Sequence, residues 1–392
     1  MQAGTSHGGV LPHSCKRLQD RLARVYCVHM DRDTQRGSSA STSPPAAAAG
    51  RRTVRPTIFD VADLAGVSYA TVSRVVNGQP SVRESTRQRV EAAMLELGYV
   101  AHVTARALAK GRTQAIGLLA QEIDNPFFSI VIKGIDHEIS AAGYDLLLCT
   151  THNRREKEAE YVARLSHGMV DGLLIVLPHE LPAYVSQLRA EDFPFVLIDH
   201  DSEAPGCNII NAANRPGTRE GIAYLIGLGH RRIACITGRP DVGATQQRLA
   251  GYRDALEAAG IAPDDSLVIE GDFLEPRGRE AALQLLSMPD RPTAIFASSD
   301  AAAFGVMGAA HDVGLRVPDD LSVLGFDDIV EASYPSSALS TVRQPLREMG
   351  HVAVRRLMSL IAQPVQAPER IVMGTELVVR RTTAPPPVLA EG

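Results

Sequence analysis

The sequence predicts a small all-α helix-turn-helix headpiece followed by an α/β core of two doubly wound parallel-sheet subdomains. Three observations carry that expectation. Helical stripes broken by glycines occupy residues 56–100. From Ala115 onward, apolar strand-like runs alternate with amphipathic helical stretches. The alternation lasts about 270 residues, more than one open sheet ordinarily holds.

The chain of 392 residues carries a net charge of -5, is 45% hydrophobic and 22% charged, and so has the means to bury a sizeable core. No stretch matches the run of about 18 apolar residues that a membrane-spanning helix needs. The first thirty residues lack the apolar segment of a secretory signal, so a cytoplasmic protein is expected. Five scattered cysteines form no C-x-x-C pair, which indicates neither a disulfide framework nor a zinc site. Residues 1–55, rich in Ser, Ala and Pro without apolar periodicity, read as a disordered leader, and 384–392 as a disordered tail.

In the headpiece, Thr57 offers an N-cap with Asp60 three positions on, and Ile58, Val61, Ala62 and Ala65 recur at helical spacing. Gly66-Val67-Ser68 breaks that helix, and Ser68 caps a second one whose Val72, Val75 and Val76 turn inward. Asn77 and Gly78 end it, since both tolerate left-handed backbone angles. A third helix fits 84–97, with Val90, Ala93, Met94 and Leu97 as its apolar stripe and Gly98 as its stop. Tyr69, Ala70, Ser73 and Arg74 then lie at the front and outer side of the second helix, where an arginine suits guanine O6 and N7 in the major groove. A solvated polar surface is the plainer reading. Between 51 and 112, however, ten arginines and lysines face five carboxylates, an excess that favours phosphate contact on an otherwise acidic chain.

In the core, strands are expected at 115–119, 145–149, 172–177, 195–198, 233–237, 294–297 and 322–325, with helices such as 127–142, 156–165 and 217–228 between them. Open parallel sheets bind ligands beyond the carboxyl ends of their strands, where Asn125-Pro-Phe-Phe128 falls after the first strand. One of the two phenylalanines is expected to face that cleft. The phosphate loop, the nucleophile elbow, paired zinc-ligand histidines and the dinucleotide fingerprint are all missing from the sequence, so no enzyme, cofactor or metal is expected. His230 reads as structural, at a crossover between lobes.

The segments TIFDVADLAGVSYATVSRVVNG (57–78) and VRESTRQRVEAAMLELGY (82–99) resemble the DNA-binding headpiece of the lactose-repressor/galactose-repressor family. The likeness continues through DNPFF, VDGLLI, LGHRRIACITG, RLAGYRDAL, PTAIFASSD, GLRVPDDLSVLGFDD and LSTVRQP, and covers residues 56 to 383. It implies a periplasmic-binding-protein-like core in an effector-controlled, homodimeric regulator, expected to repress from a pseudo-palindromic operator. At the operator it implies Thr57, Ser68, Tyr69, Ala70, Thr71, Ser73, Arg74, Asn77 and Thr86. Residues 101–112 become a hinge helix, with Arg106 at DNA and Leu108 wedged into the minor groove. This chain has Ala101-His102 where the family commonly has Pro-Asn.

For the effector the resemblance implies Asn125, Phe127, Phe128, His200, Asn214, Arg248, Phe273, Ser299 and Asp327. Ser299 stands where Asn is frequent, and Ala213-Asn214 where Asp-Asn is frequent. It also implies three crossings between lobes, near Gly229, Thr341 and Ile371. Subdomain one then comprises 113–228 and 345–370, and subdomain two 229–344 and 371–383. No heptad repeat follows Arg381, so a dimer rather than a tetramer is expected. A transport solute-binding protein shares such a core but not the headpiece, and a doubly wound enzyme lacks its motifs here. The ligand stays open among pentose, hexose, sugar acid and nucleobase, with a sugar or sugar derivative expected.

Overall fold

The computed structural model of the chain describes residues 56–77, 79–99, 112–178, 181–200, 205–364 and 366–387. The leader, Gly78 and the hinge segment with Arg106 and Leu108 lie outside them.

The headpiece consists of α1 (Ile58–Ala65), α2 (Tyr69–Val76) and α3 (Glu84–Leu97). A full capping box opens α1. The Asp60 amide donates to Thr57 Oγ1 at 3.4 Å, and the Thr57 amide donates to Asp60 Oδ2 at 2.6 Å. Gly66 and Gly98 close α1 and α3 at φ 62° and 61°, the left-handed region where a Cβ is costly. Asn77 does not do the same for α2: its φ is -86°, and its side chain reaches back to Ser73 Oγ at 3.4 Å. Val61, Val72, Val75, Val90 and Ala93 form the buried seam of the three helices.

The first lobe of the core holds β1 (Ala115–Ala120), α4 (Pro126–Ala141), β2 (Asp145–Thr150), α5 (Arg155–Ser166), β3 (Gly172–Val176), α6 (Leu181–Ala190), β4 (Phe195–Ile198) and β5 (Ile209–Ala212). The second holds α7 (Asn214–Gly227), β6 (Ile233–Ile236), α8 (Gly243–Ala258), β7 (Val268–Ile269), α9 (Glu275–Leu286), β8 (Ala294–Ala297), α10 (Asp300–Asp312), β9 (Ser322–Asp327) and β10 (Ser340–Arg343). The chain then returns to the first lobe with α11 (Leu346–Ala362) and β11 (Arg370–Met373), and ends its last sheet in the second with β12 (Glu376–Val378). The two six-stranded sheets run β11-β5-β4-β3-β1-β2, all parallel, and β12-β10-β9-β8-β6-β7, with only β12 antiparallel. Strands β3, β4, β6 and β8 are buried along their whole length, which is why they read as continuous apolar runs.

The first and third crossings differ from those expected. The first falls at Ala213 rather than Gly229, because α7 covers the second sheet: Ile222 and Leu225 pack with Phe296 and Phe326. Asn214 to Leu228 therefore belongs to the second lobe. The second crossing is at Gln344-Pro345, just after β10 and near Thr341. The third is at Gly374-Thr375, because Arg370–Met373 still pairs with β5. First and third lie side by side, with the Ala213 amide donating to the Met373 carbonyl at 2.8 Å. The tail also departs from expectation at its start. His230, Thr293, Ser322 and the Ala384 carbonyl form one hydrogen-bonded cluster, with contacts of 2.9 to 3.0 Å. Burial lowers the His230 pKa, so the ring serves this cluster as a neutral structural group, inside the second lobe rather than at a crossover.

Glycines set the closest helix contacts. A Cβ on Gly134 of α4 would fall inside the van der Waals radius of the Arg347 carbonyl on α11, and Gly350 of α11 meets α4 in the same way. Backbone cannot rotate aside as a side chain can. Gly134→Ala is therefore expected to cost about 3 kcal/mol, the upper end for overpacking. Gly227→Ala, with nothing within 4 Å, should be nearly neutral. Urea unfolding midpoints of the two variants check the contrast.

Candidate functional site

On the headpiece, Ser68 caps α2 by accepting from the Thr71 amide at 3.2 Å, and the two hydroxyls lie 2.9 Å apart. The caps thereby engage Thr57 and Ser68 while leaving both on the exposed surface. Tyr69, Ala70 and Arg74 are exposed along one side of α2, and Ser73, Asn77 and Thr86 are half-buried beside it. The Arg74 side chain has no hydrogen bond or ion pair among the described residues, whereas that of Arg87 is engaged by the Gln79 carbonyl at 2.9 Å and by Glu84. Phe59 was not expected here. Its ring, 63% exposed, stacks on the 51% exposed Tyr69 at 5.3 Å and 20°, fixing the tyrosine's direction from α1. Its place on the outer side of α1, off the apolar stripe, was the available signal.

The second candidate is a cavity of about 150 Å³ between the lobes. From the first lobe, Asn125 caps α4 through the Phe127 amide at 3.0 Å and turns the pair Phe127 and Phe128 inward. Both rings line the cavity, not one alone, packed edge to face at 5.3 Å. From the second lobe come Arg248, Phe273, Ser299 and Asp327. Arg248 is 2% exposed, and its guanidinium lies 3.8 Å over the Phe326 ring and 5.7 Å from that of Phe273. It donates from Nε to Asn214 Oδ1 at 2.9 Å and from Nη1 to the Ser298 carbonyl, and sits 3.7 Å from Asp327 Oδ1. Ser299 caps α10 and donates to the Phe273 carbonyl at 2.8 Å, so its hydroxyl holds Phe273, whose φ of 73° is left-handed, in place.

Two expected residues stand elsewhere. Asn214 lies behind Arg248 and orients it without lining the cavity. His200 faces an adjoining pocket, its backbone held on both sides by the Asn211 amide group. Burial and the nearby Arg370 charge push its pKa down to about 4, so it is neutral. Asp199, one residue earlier and at φ 57°, is the side chain that lines the cavity. Gln121, Asn153 and Arg239 also line it. They lie in loops beyond β1, β2 and β6, and that shared position at strand ends was the signal that pointed to them.

Beneath the cavity, Asp300 accepts from Thr341 Oγ1 at 2.5 Å and from the Ile329 amide at 2.9 Å, and Gln344 Nε2 donates to Asp327 Oδ1 at 2.6 Å. Burial raises the pKa of Asp327 to about 6 against the opposing pull of Arg248. Burial, and then the Asp327 charge, hold Asp300 well above the ordinary carboxylate range. Among the described residues, no group of three or more His, Cys, Asp or Glu side chains is placed to hold a metal ion. No described helix is long and apolar enough to cross a membrane.

Residues 57–102 match the model of bacterial regulatory proteins of the lacI family, and 222–383 match a periplasmic binding protein-like domain. The chain is 36% identical over 335 residues to the HTH-type transcriptional regulator DegA of Bacillus subtilis, covering 85% of this chain and 99% of that protein. Among solved structures, it superposes on the lac repressor dimer bound to operator and the anti-inducer ONPF with a TM-score of 0.75 at 32% identity, covering 84% of this chain and all of the other. A regulator CelR–cellobiose complex matches at TM-score 0.64 and 35% identity with the same coverage.

Proposed function

Because the chain belongs to the LacI family of transcriptional regulators, whose helix-turn-helix binds DNA, we propose that it represses as a homodimer on a pseudo-palindromic operator and is switched by a neutral, hydroxyl-rich ligand, a sugar or sugar derivative. The observation that carries the ligand reading is the buried Arg248–Asp327 pair set among phenyl rings in a cavity between two lobes. The arginine fork donates to hydroxyl oxygens, the carboxylate accepts from hydroxyl hydrogens, and the aromatic faces cover the apolar side of a ring. Four carboxylates line the cavity (Glu122, Asp199, Asp272 and Asp327) against two arginines, Arg239 and Arg248. That balance favours a neutral ligand over a sugar acid. Thermal-shift titration of the protein with neutral monosaccharides, sugar acids and nucleobases tests this, and stabilisation by sugar acids or nucleobases alone would refute it.

Two-fold symmetry in protein and operator would match one α2 to each half-site. In this reading Tyr69, Ala70 and Arg74 face base edges, while Thr57, Thr71, Ser73, Asn77 and Thr86 steady phosphates. Arg106 and Leu108, outside the described residues, would act in the minor groove. Arg74→Ala should weaken specific binding by about 1–3 kcal/mol and relax preference at one base step per half-site. Sequencing of sites selected by the variant checks this; recovery of the wild-type motif at full stringency refutes it.

A further inference from the structure

At the rim of the cavity, side chains of the two lobes bond directly to one another. Arg239, from the loop after β6, donates to Asn153 Oδ1 at 3.0 Å and to Gln121 Oε1 at 3.2 Å, both on the first lobe. Asp241 of the same loop lies 3.4 Å from Arg239 Nε and pairs with Arg155 at the start of α5 at 2.5 Å. On the opposite lip, His152 and Asn153 both take left-handed angles, φ 52° and 57°, in a turn pinned where the His152 amide donates to the Gln121 carbonyl at 2.8 Å. That conformation is uncommon away from glycine, and here it accompanies an Asn153 side chain whose Oδ1 reaches across the gap to Arg239.

A second pocket of about 220 Å³ adjoins the first, sharing Gln121, Leu177, Asp199 and Val242 with it. Gln121, the side chain Arg239 holds, thus stands in the wall between the two spaces. The inner cavity of about 150 Å³ is below the ~300–1,000 Å³ of pockets that enclose drug-sized ligands, and suits a single sugar ring. We propose that Arg239 is the size-determining residue of the ligand site: its bridge to Gln121 and Asn153 confines ligands to one ring, and opening the bridge joins the inner and outer spaces into room for two. The proposal rests on the carbohydrate reading of the cleft, but the bridge itself is testable without any ligand.

Two measurements on the full chain and its Arg239→Ala and Arg239→Lys variants separate the two. Amide hydrogen exchange without ligand should be about tenfold faster at 151–154 in both variants, since the Arg155–Asp241 pair is then the contact left holding that lip to the second lobe. Unchanged exchange there overturns the bridge. Thermal-shift titrations with neutral aldopentoses and aldohexoses, and with cellobiose and maltose, should show wild type favouring one-ring sugars at least tenfold and the variants bringing that ratio towards one. An unchanged ratio, or a wild type that binds the disaccharides as well as their single-ring units, overturns the size role. Faster exchange with no carbohydrate bound by any of the three proteins supports the bridge and refutes the carbohydrate reading.

Discussion

Arg248→Ala is expected to abolish the ligand response and also to destabilise the second lobe by about 3–5 kcal/mol, the usual cost of removing one partner from a buried ion pair. The guanidinium is 2% exposed and satisfies Asn214 Oδ1, the Ser298 carbonyl and Asp327 at once. Truncation leaves those acceptors buried without it and strips Asp327 of the charge that opposes its upward pKa shift. It also removes the cation lying over the Phe326 ring. The family resemblance implies a ligand contact, whereas the packing gives the residue two roles. Denaturant unfolding of the variant checks this, and a midpoint equal to that of wild type would show that the network contributes nothing to stability.

A second large effect concerns pH. In the unfolded chain, Asp300 and Asp327 titrate near 3.8; in the fold both are raised, Asp327 to about 6. Between its unfolded and folded values each carboxyl binds more protons in the folded state, so both contributions are fully present below about 4 and are lost as pH rises, that of Asp327 through 6. For Asp327 the loss amounts to roughly 3 kcal/mol. His200 and His230, whose pKa values are lowered by burial, act in the opposite sense and cost stability as pH falls below 6.5. A comparison with Asp300→Asn isolates the carboxylate. Its amide can accept from the Ile329 amide and donate to the Thr341 hydroxyl, which keeps the two bonds made by Asp300. The variant should gain on wild type in the free energy of unfolding as pH rises above about 4. A difference that stayed flat with pH would mean that Asp300 is ionised throughout.

The central strands were legible because parallel strands buried on both faces write themselves as runs such as GLLIV and FVLI. β5 was not, because Asn211 interrupts its apolar run to hold the backbone of His200. β7, only two residues long, and β10 to β12, carrying Ser, Thr, Arg and Glu, have too little pattern to stand out. The helical period of α7 shows that one face is buried but not which sheet buries it, and that misplaced the first crossing. The site was affected in the same way. Position after a strand pointed Phe127 and Phe128 to the cavity, and the family resemblance pointed Arg248, Phe273 and Asp327 there, but the sequence does not distinguish Asp199 from His200, adjacent residues whose orientation depends on a left-handed backbone angle at the first of them.

The order in which the chain visits its lobes has a consequence for biosynthesis. Strand β11 completes the edge of the first sheet, β12 that of the second, and Thr382 exchanges hydrogen bonds of 2.7 Å with the backbone of Val323. All three contributions arrive within fifteen residues of one another, at 370–384, after every other described strand has been made. A nascent chain stopped at Ala362 therefore presents two sheets, each with an unpaired edge, β5 in one and β10 in the other. Such edges are templates for joining other chains. The two sheets are therefore completed almost together, and until residues 370–378 have been made each keeps an open edge that the folded protein covers.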